Sequence, residues 1–199
     1  RRGLPAPTLL SCDNLANNGR KLGGAVRAFA AATDPETTRW IDGEVRFPNA
    51  MVDSITPATD DMLRRRVSDA TGMVDAWPIQ RERFSQWVIE DDFAGERPTL
   101  EVAGVTFAGD VHGYEAAKLR LLNGAHSSLA YIGLALGHAT VAAAMADDRL
   151  AGFAERMMRE DVAPSLAPPP GLDVAAYIGS ILARFANPAI EHRLSQIAW

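Results

Sequence analysis

Three polar side chains interrupt an otherwise apolar run, "YEAAKLRLLNGAHSSLAY" over residues 114–131: Lys118, Asn123 and His126. A lysine whose charge is disfavoured by burial can take a proton from an alcohol. Asn and His side chains can donate hydrogen bonds to the alkoxide or carbonyl oxygen that develops. Glu115, three residues before the lysine, can touch it, relay its proton or, when ionised, raise its pKa. Together this is equipment for interconverting an alcohol and a ketone without a metal. The spacing is awkward for it. On an ideal α-helix Lys118 and Asn123 lie about 140° apart, and Lys118 and His126 about 80° apart with about 12 Å of rise. For all three to meet one small ligand, the helix must bend or break near Asn123-Gly124, or the lysine must lean across. The same residues also fit structural roles: Lys118 snorkelling at the surface, Asn123 a C-cap before Gly124, His126 a satisfied core histidine.

Composition narrows the choice. The chain has 20 Lys+Arg, yet lysine occurs only at Lys21 and Lys118. Arginine keeps its proton in a protein and lysine need not, so a lysine retained in an apolar helix is a candidate acid/base group. The net charge of -5, with both signs spread along the chain, argues against nucleic acid or an anionic membrane as partner. No apolar run reaches the roughly 18 residues of a membrane span. A single cysteine, Cys12, excludes an internal disulfide framework and a multi-cysteine metal site, and it has no base partner for nucleophilic work. A cytoplasmic, reducing setting fits. His112, His138 and His192 have no ligand-type partners at metal-binding spacing, so no metal is expected. Asp91 and Asp92 read as a turn or cap, and residues 64–66, three arginines, as a solvated helix face.

The elements that must position these residues fall into two styles. Residues 7–14, "PTLLSCDN", read as a short buried strand and turn, with Asp13 or Asn14 capping a following helix. Strands are expected at 50–55, 87–89 and 101–111, and a helix at 62–70. Beyond Asp110 the chain reads as helices at 114–123, 126–144, 148–161 and 174–185, broken by "APPPG" and "NP". There is no G-x-G-x-x-G. The last segment, "HRLSQIAW", starts an amphipathic helix that stops uncapped at Trp199, and both ends are expected to belong to something longer.

Six blocks, "LSCDN…NG", "FPNAMVDSITP", "QWVIEDDF", "YEAAKLRLLNGAHSSLAY", "RFANP" and "HRLSQIA", occur in this order with compatible spacing. Together they resemble the long-chain, metal-independent polyol dehydrogenases, the family of mannitol dehydrogenase and the fructuronate and tagaturonate reductases. The resemblance implies the α/β tail of an extended Rossmann domain (residues 1–110). A truncated, mostly α-helical domain of the 6-phosphogluconate-dehydrogenase C-terminal type follows (residues 111–199). It implies NAD or NADP as cofactor, a polyol or ketose as substrate, and a catalytic site in the cleft between the domains. Residue by residue, it implies Lys118 as general base and Asn14 and Asn123 as the pair holding the reacting oxygen. His126 orients the substrate, and Glu115 is a proton path. Ser11, Val52 and Asp53 lie near the cofactor. The family's "VDR" becomes Val52-Asp53-Ser54 here, which removes a cation near cofactor and substrate. A Gly-rich cofactor loop is expected upstream of Arg1 and a "DGSQK"-like segment beyond Trp199. The fragment alone is then expected to be inactive. Two other readings stay open: a hexuronate reductase, and a non-catalytic helical binding module.

Overall fold

The computed structural model describes residues 3–198, which form two compact units. The first comprises Arg1–Asp53 and Ser85–Glu115, the second Ser54–Phe84 and Ala116–Trp199.

The first unit is α/β. Helices α1 (Asn18–Thr33) and α2 (Pro35–Glu44) precede a three-stranded sheet of β1 (Ala50–Asp53), β2 (Gln86–Glu90) and β3 (Val105–Ala108). β1 pairs antiparallel with β2, with Ala50 opposite Ile89, and β2 pairs parallel with β3. Alternation along the strands puts Ala50, Ile89 and Val105 in one cluster and Met51 and Val88 in another. A further cluster, Ala30, Ile41, Val45 and Phe47, joins the helices. Asp34 separates α1 from α2: its carboxylate accepts the Glu36 and Thr37 N–H groups, and Pro35 suits the first helical position.

The strand expected over residues 7–14 does not form. One bridge, Thr8 to Arg46, is all that pairs, because Pro5 and Pro7 carry no N–H for a ladder. The capping expectation fails too. The helix begins at Asn18, after Asn17 at φ 55, with no side-chain cap at that end. The cause is Asn18, buried to 2 % exposure. Its amide donates to the carbonyls of Ser11, Asp13 and Ala50, and its oxygen accepts from Gly19 and Ala50 N–H. One side chain thus ties residues 11–13 to the start of β1. Gly19 permits the approach: a Cβ there would lie 2.2 Å from the Pro48 oxygen.

The second unit is helical apart from its loops. α3 (Asp61–Thr71) is capped by Asp60, which accepts the Leu63 N–H. α4 (His112–Ala117) leads from the first unit into a π-helical turn, Lys118–Asn123, followed by α5 (Gly124–Ala135). α6 (Val141–Met145), α7 (Asp148–Arg156), a second π-helical turn (Met157–Val162), α8 (Val174–Phe185) and α9 (Leu194–Ile197) complete it. The expected helix over 126–144 is two, because Gly137 at φ 85 ends the first and Thr140 caps the second. The core gathers Leu121, Leu129, Met158, Ile178, Ile181 and Phe185, each at most 2 % exposed. Within the described residues, no helix is long and apolar enough to cross a membrane. The uncapped end expected at Trp199 lies outside the described residues.

Candidate active site

The helical unit holds three of the expected residues on one continuous segment. Lys118 opens the first π-helical turn and is 9 % exposed. The turn closes with the Gly124 N–H on the Leu119 carbonyl, five residues back. Of the two ways the spacing left open, this is a distortion of the helix, and it spans Lys118 to Asn123 rather than breaking at Asn123-Gly124. In an α-helix the residue four on comes round over the first; in a π-turn the residue five on does. The extra residue in the turn swings Asn123 back toward the Lys118 side of the helix, where an α-helix would leave it about 140° away. His126 follows one α-helical turn later, half-buried like Asn123.

His126 stacks on Phe185, with centroids 5.2 Å apart and planes 15° apart, and His192 tilts against it at 4.8 Å. Burial foremost, then the charges of His192 and Arg184, lowers the His126 pKa to about 4. At neutral pH the ring is uncharged: one nitrogen donates and the other accepts. Its Nε2 is shut off from solvent with no hydrogen-bond partner.

Sequence reasoning missed the support beside this corner. Glu82 and Arg184 form a buried pair, the Arg184 Nη2 donating at 2.8 Å and Nε at 3.0 Å. Glu82 also accepts the Ile55 N–H at 2.6 Å, and its own N–H returns to the Ile55 carbonyl at 3.1 Å. The loop after Ser54 is clamped to α8 in this way. Arg184 lies within the "RFANP" block, which was its only signal. Ser54 donates its hydroxyl to the Phe84 carbonyl at 3.0 Å, so the residue in the arginine's place closes a local loop.

The remaining expected residues lie in the α/β unit. Asn14 sits in an exposed bend, and Ser11 is half-buried just before it. The Ser11 hydroxyl accepts the Asp13 N–H, and Asn18 orders the carbonyls around it. Glu115 accepts the Asn17 N–H at 3.3 Å, which attaches this loop to α4. Val52 and Asp53 end β1, Asp53 at 4 % exposure. Cys12 is free and exposed. Glu90, Asp110 and His112 bring ligand-type atoms within 4.8 Å of one another, but Glu90 already accepts from the Asn49 N–H and side-chain amide. That makes it part of the loop's structure.

Residues 1–102 match the mannitol dehydrogenase Rossmann domain, and residues 110–199 the mannitol dehydrogenase C-terminal domain. The chain belongs to the mannitol dehydrogenase family. The expected fold is borne out: a Rossmann-type α/β portion followed by this family's helical domain. Mannitol 2-dehydrogenase of Aspergillus fumigatus is 42% identical over 200 residues, covering 99% of this chain. D-mannonate oxidoreductase of Escherichia coli is 41% identical over 197 residues, again covering 99%. Among solved structures, a Pseudomonas fluorescens mannitol 2-dehydrogenase, in ternary complex with NAD and D-mannitol, superposes with a TM-score of 0.81 at 44% identity and covers 98% of this chain. The chain spans 40% of the length of each of these three relatives.

A dinucleotide poses two demands, and the described residues fit one. No glycine at positive φ opens a helix after a strand, so no Gly-rich phosphate cradle is present among them. At the other end, Asn17 Oδ1 is a buried acceptor without a partner, in the loop that carries Ser11 and Asn14. An amide donor such as a nicotinamide carboxamide suits it.

Proposed function

We propose that this chain is the catalytic portion of an NAD(P)-dependent, metal-independent oxidoreductase that interconverts a mannitol-like sugar alcohol and a ketose. Residues 1–110 are read as the C-terminal part of the dinucleotide-binding domain and 111–199 as the helical substrate domain. The observation that supports this best is the π-helical turn that opens on a buried Lys118 and runs to Asn123. A regular helix would scatter these side chains; the extra residue in a π-turn reduces that scatter, which suits a shared reacting oxygen.

In the proposed chemistry Lys118 takes the proton from a secondary hydroxyl. A nicotinamide cofactor, when bound, would supply the acceptor for the hydride leaving that carbon. Asn123 and neutral His126 hold the oxygen as it becomes a carbonyl. The same reading gives Asn14 a share of that oxygen and Glu115 the proton path. Ser11, Val52 and Asp53 belong to the nicotinamide end of the cofactor. Lys118→Ala in the full-length protein is expected to lower turnover by roughly two to four orders of magnitude while cofactor binding persists. Retained turnover would sink the assignment.

A hexuronate carboxylate needs a cation, and the Ser54 hydroxyl is spent on the Phe84 carbonyl. The polyol reading is therefore preferred over hexuronate reduction. Steady-state rates on mannitol, fructose, fructuronate and tagaturonate separate the two. A higher kcat/KM on either uronate would reverse the preference.

A further inference from the structure

Two ring nitrogens in the helical unit are shut off from solvent and have no hydrogen-bond partner: Nε2 of His126 and Nδ1 of His192. They belong to one corner. The rings stand 4.8 Å apart, centroid to centroid, tilted by 58°. Both line a single small cavity of about 10 Å³ whose other walls include Ile55, Val141, Phe185 and Ile190. Phe185 stacks on His126, so the ring is pinned by an aromatic and neighboured by a second imidazole. His192 is fixed through its backbone: its carbonyl accepts the Val141 N–H at 3.0 Å, and its N–H donates to the Ile190 carbonyl at 2.8 Å. A backbone pinned at both ends delivers the ring to this corner. The lining of the cavity is apolar apart from the two imidazoles, Arg184 and Asn187, and Arg184 is committed to Glu82.

The tautomer of a histidine is set by what its second nitrogen meets. If His126 is to offer one nitrogen to a reacting oxygen, its other nitrogen decides whether that offer is a donor or an acceptor. We propose that His192 is a positioning residue for His126: the two orphaned nitrogens share one cavity about the size of a single water, a water there would bridge them, and through that link His192 holds its partner in one neutral tautomer and one ring orientation. This rests on the proposed role of His126 at the reacting oxygen. It adds a residue that sits in the helical unit's last loop and touches no substrate itself. The low pKa values of both rings, each lowered first by burial, agree with a pair kept neutral.

The test compares His192→Phe, which keeps a flat ring and removes both nitrogens, with His192→Asn, which keeps a polar amide. Imidazole 15N shifts of His126 at pH 7 report its tautomer without any activity. Wild type is expected to show a single tautomer, His192→Phe a mixture, and His192→Asn the wild-type pattern. In the full-length protein His192→Phe is expected to lower kcat roughly ten- to a hundredfold with KM little changed, and His192→Asn to restore most of it. An unchanged His126 tautomer in His192→Phe overturns the proposal. So does a His192→Asn variant as slow as His192→Phe, because that marks a role in shape alone. The Lys118→Ala result stands apart: if that variant keeps its turnover the functional reading falls, while the tautomer readout still decides whether the two rings are coupled.

Discussion

At the scale of single residues, His126 carries a consequence for stability as well as for chemistry. Its pKa lies near 4 in the folded protein against 6.5 for a free histidine. The folded state therefore binds fewer protons than the unfolded chain between those values. The stability it contributes is complete above about pH 6.5 and is lost as pH falls toward 4. The size is no more than about 3 kcal/mol, because the ring is partly exposed. Thermal melts from pH 7 to pH 4 should show a steeper loss of Tm in wild type than in His126→Asn; parallel curves would refute this. The Glu82–Arg184 pair makes a different demand. Arg184→Met leaves a buried carboxylate with one neutral donor, the Ile55 N–H, and should cost roughly 3 to 5 kcal/mol in urea unfolding. Replacing Glu82 as well, with Leu, should recover part of that loss. A double variant weaker by the sum of the two singles would show that the pair is not coupled.

At the scale of elements, Asn18 and the π-turns stand apart from the rest. Asn18→Ala removes the five hydrogen bonds described above and should cost a few kcal/mol. It should also free residues 11–17, seen as faster amide exchange in that loop. Unchanged exchange there would mean the loop is held by something else. Helix α8 was legible to the residue, since Asp173 caps it and its apolar residues recur at helical spacing. Asn18 was not legible, because its partners Ala50 and Ser11 are 32 and 7 residues away. The strand expected at residues 7–14 does not form because the apolar Leu9 and Leu10 cannot offset the missing N–H groups of Pro5 and Pro7. The π-turn left only an indirect trace. Periodicity assumes one turn every 3.6 residues, and the i+5 turn showed itself as a trio of polar residues that shared no face.

At the scale of the whole molecule, each unit buries its own clusters: among the described residues, three in the α/β unit and the large one in the helical unit. Asn18→Ala should therefore raise hydrogen exchange within residues 1–53 and 85–115, and Arg184→Met within 54–84 and 116–199. Spread of either effect through both units would show a single cooperative fold. The alternation between units was hidden from a reading along the chain. Residues 54–84 lie with the helices although they interrupt the α/β portion, and no composition shift marks Ser54 or Phe84 as crossing points. The first π-turn has a last consequence, for transplantation. A designer who copied Lys118, Asn123 and His126 onto a regular helix of equal length would carry over every side chain and lose the phase between them. The one-residue phase slip is information written in the backbone, so the segment moves to another scaffold only as a whole, with its irregular turn intact.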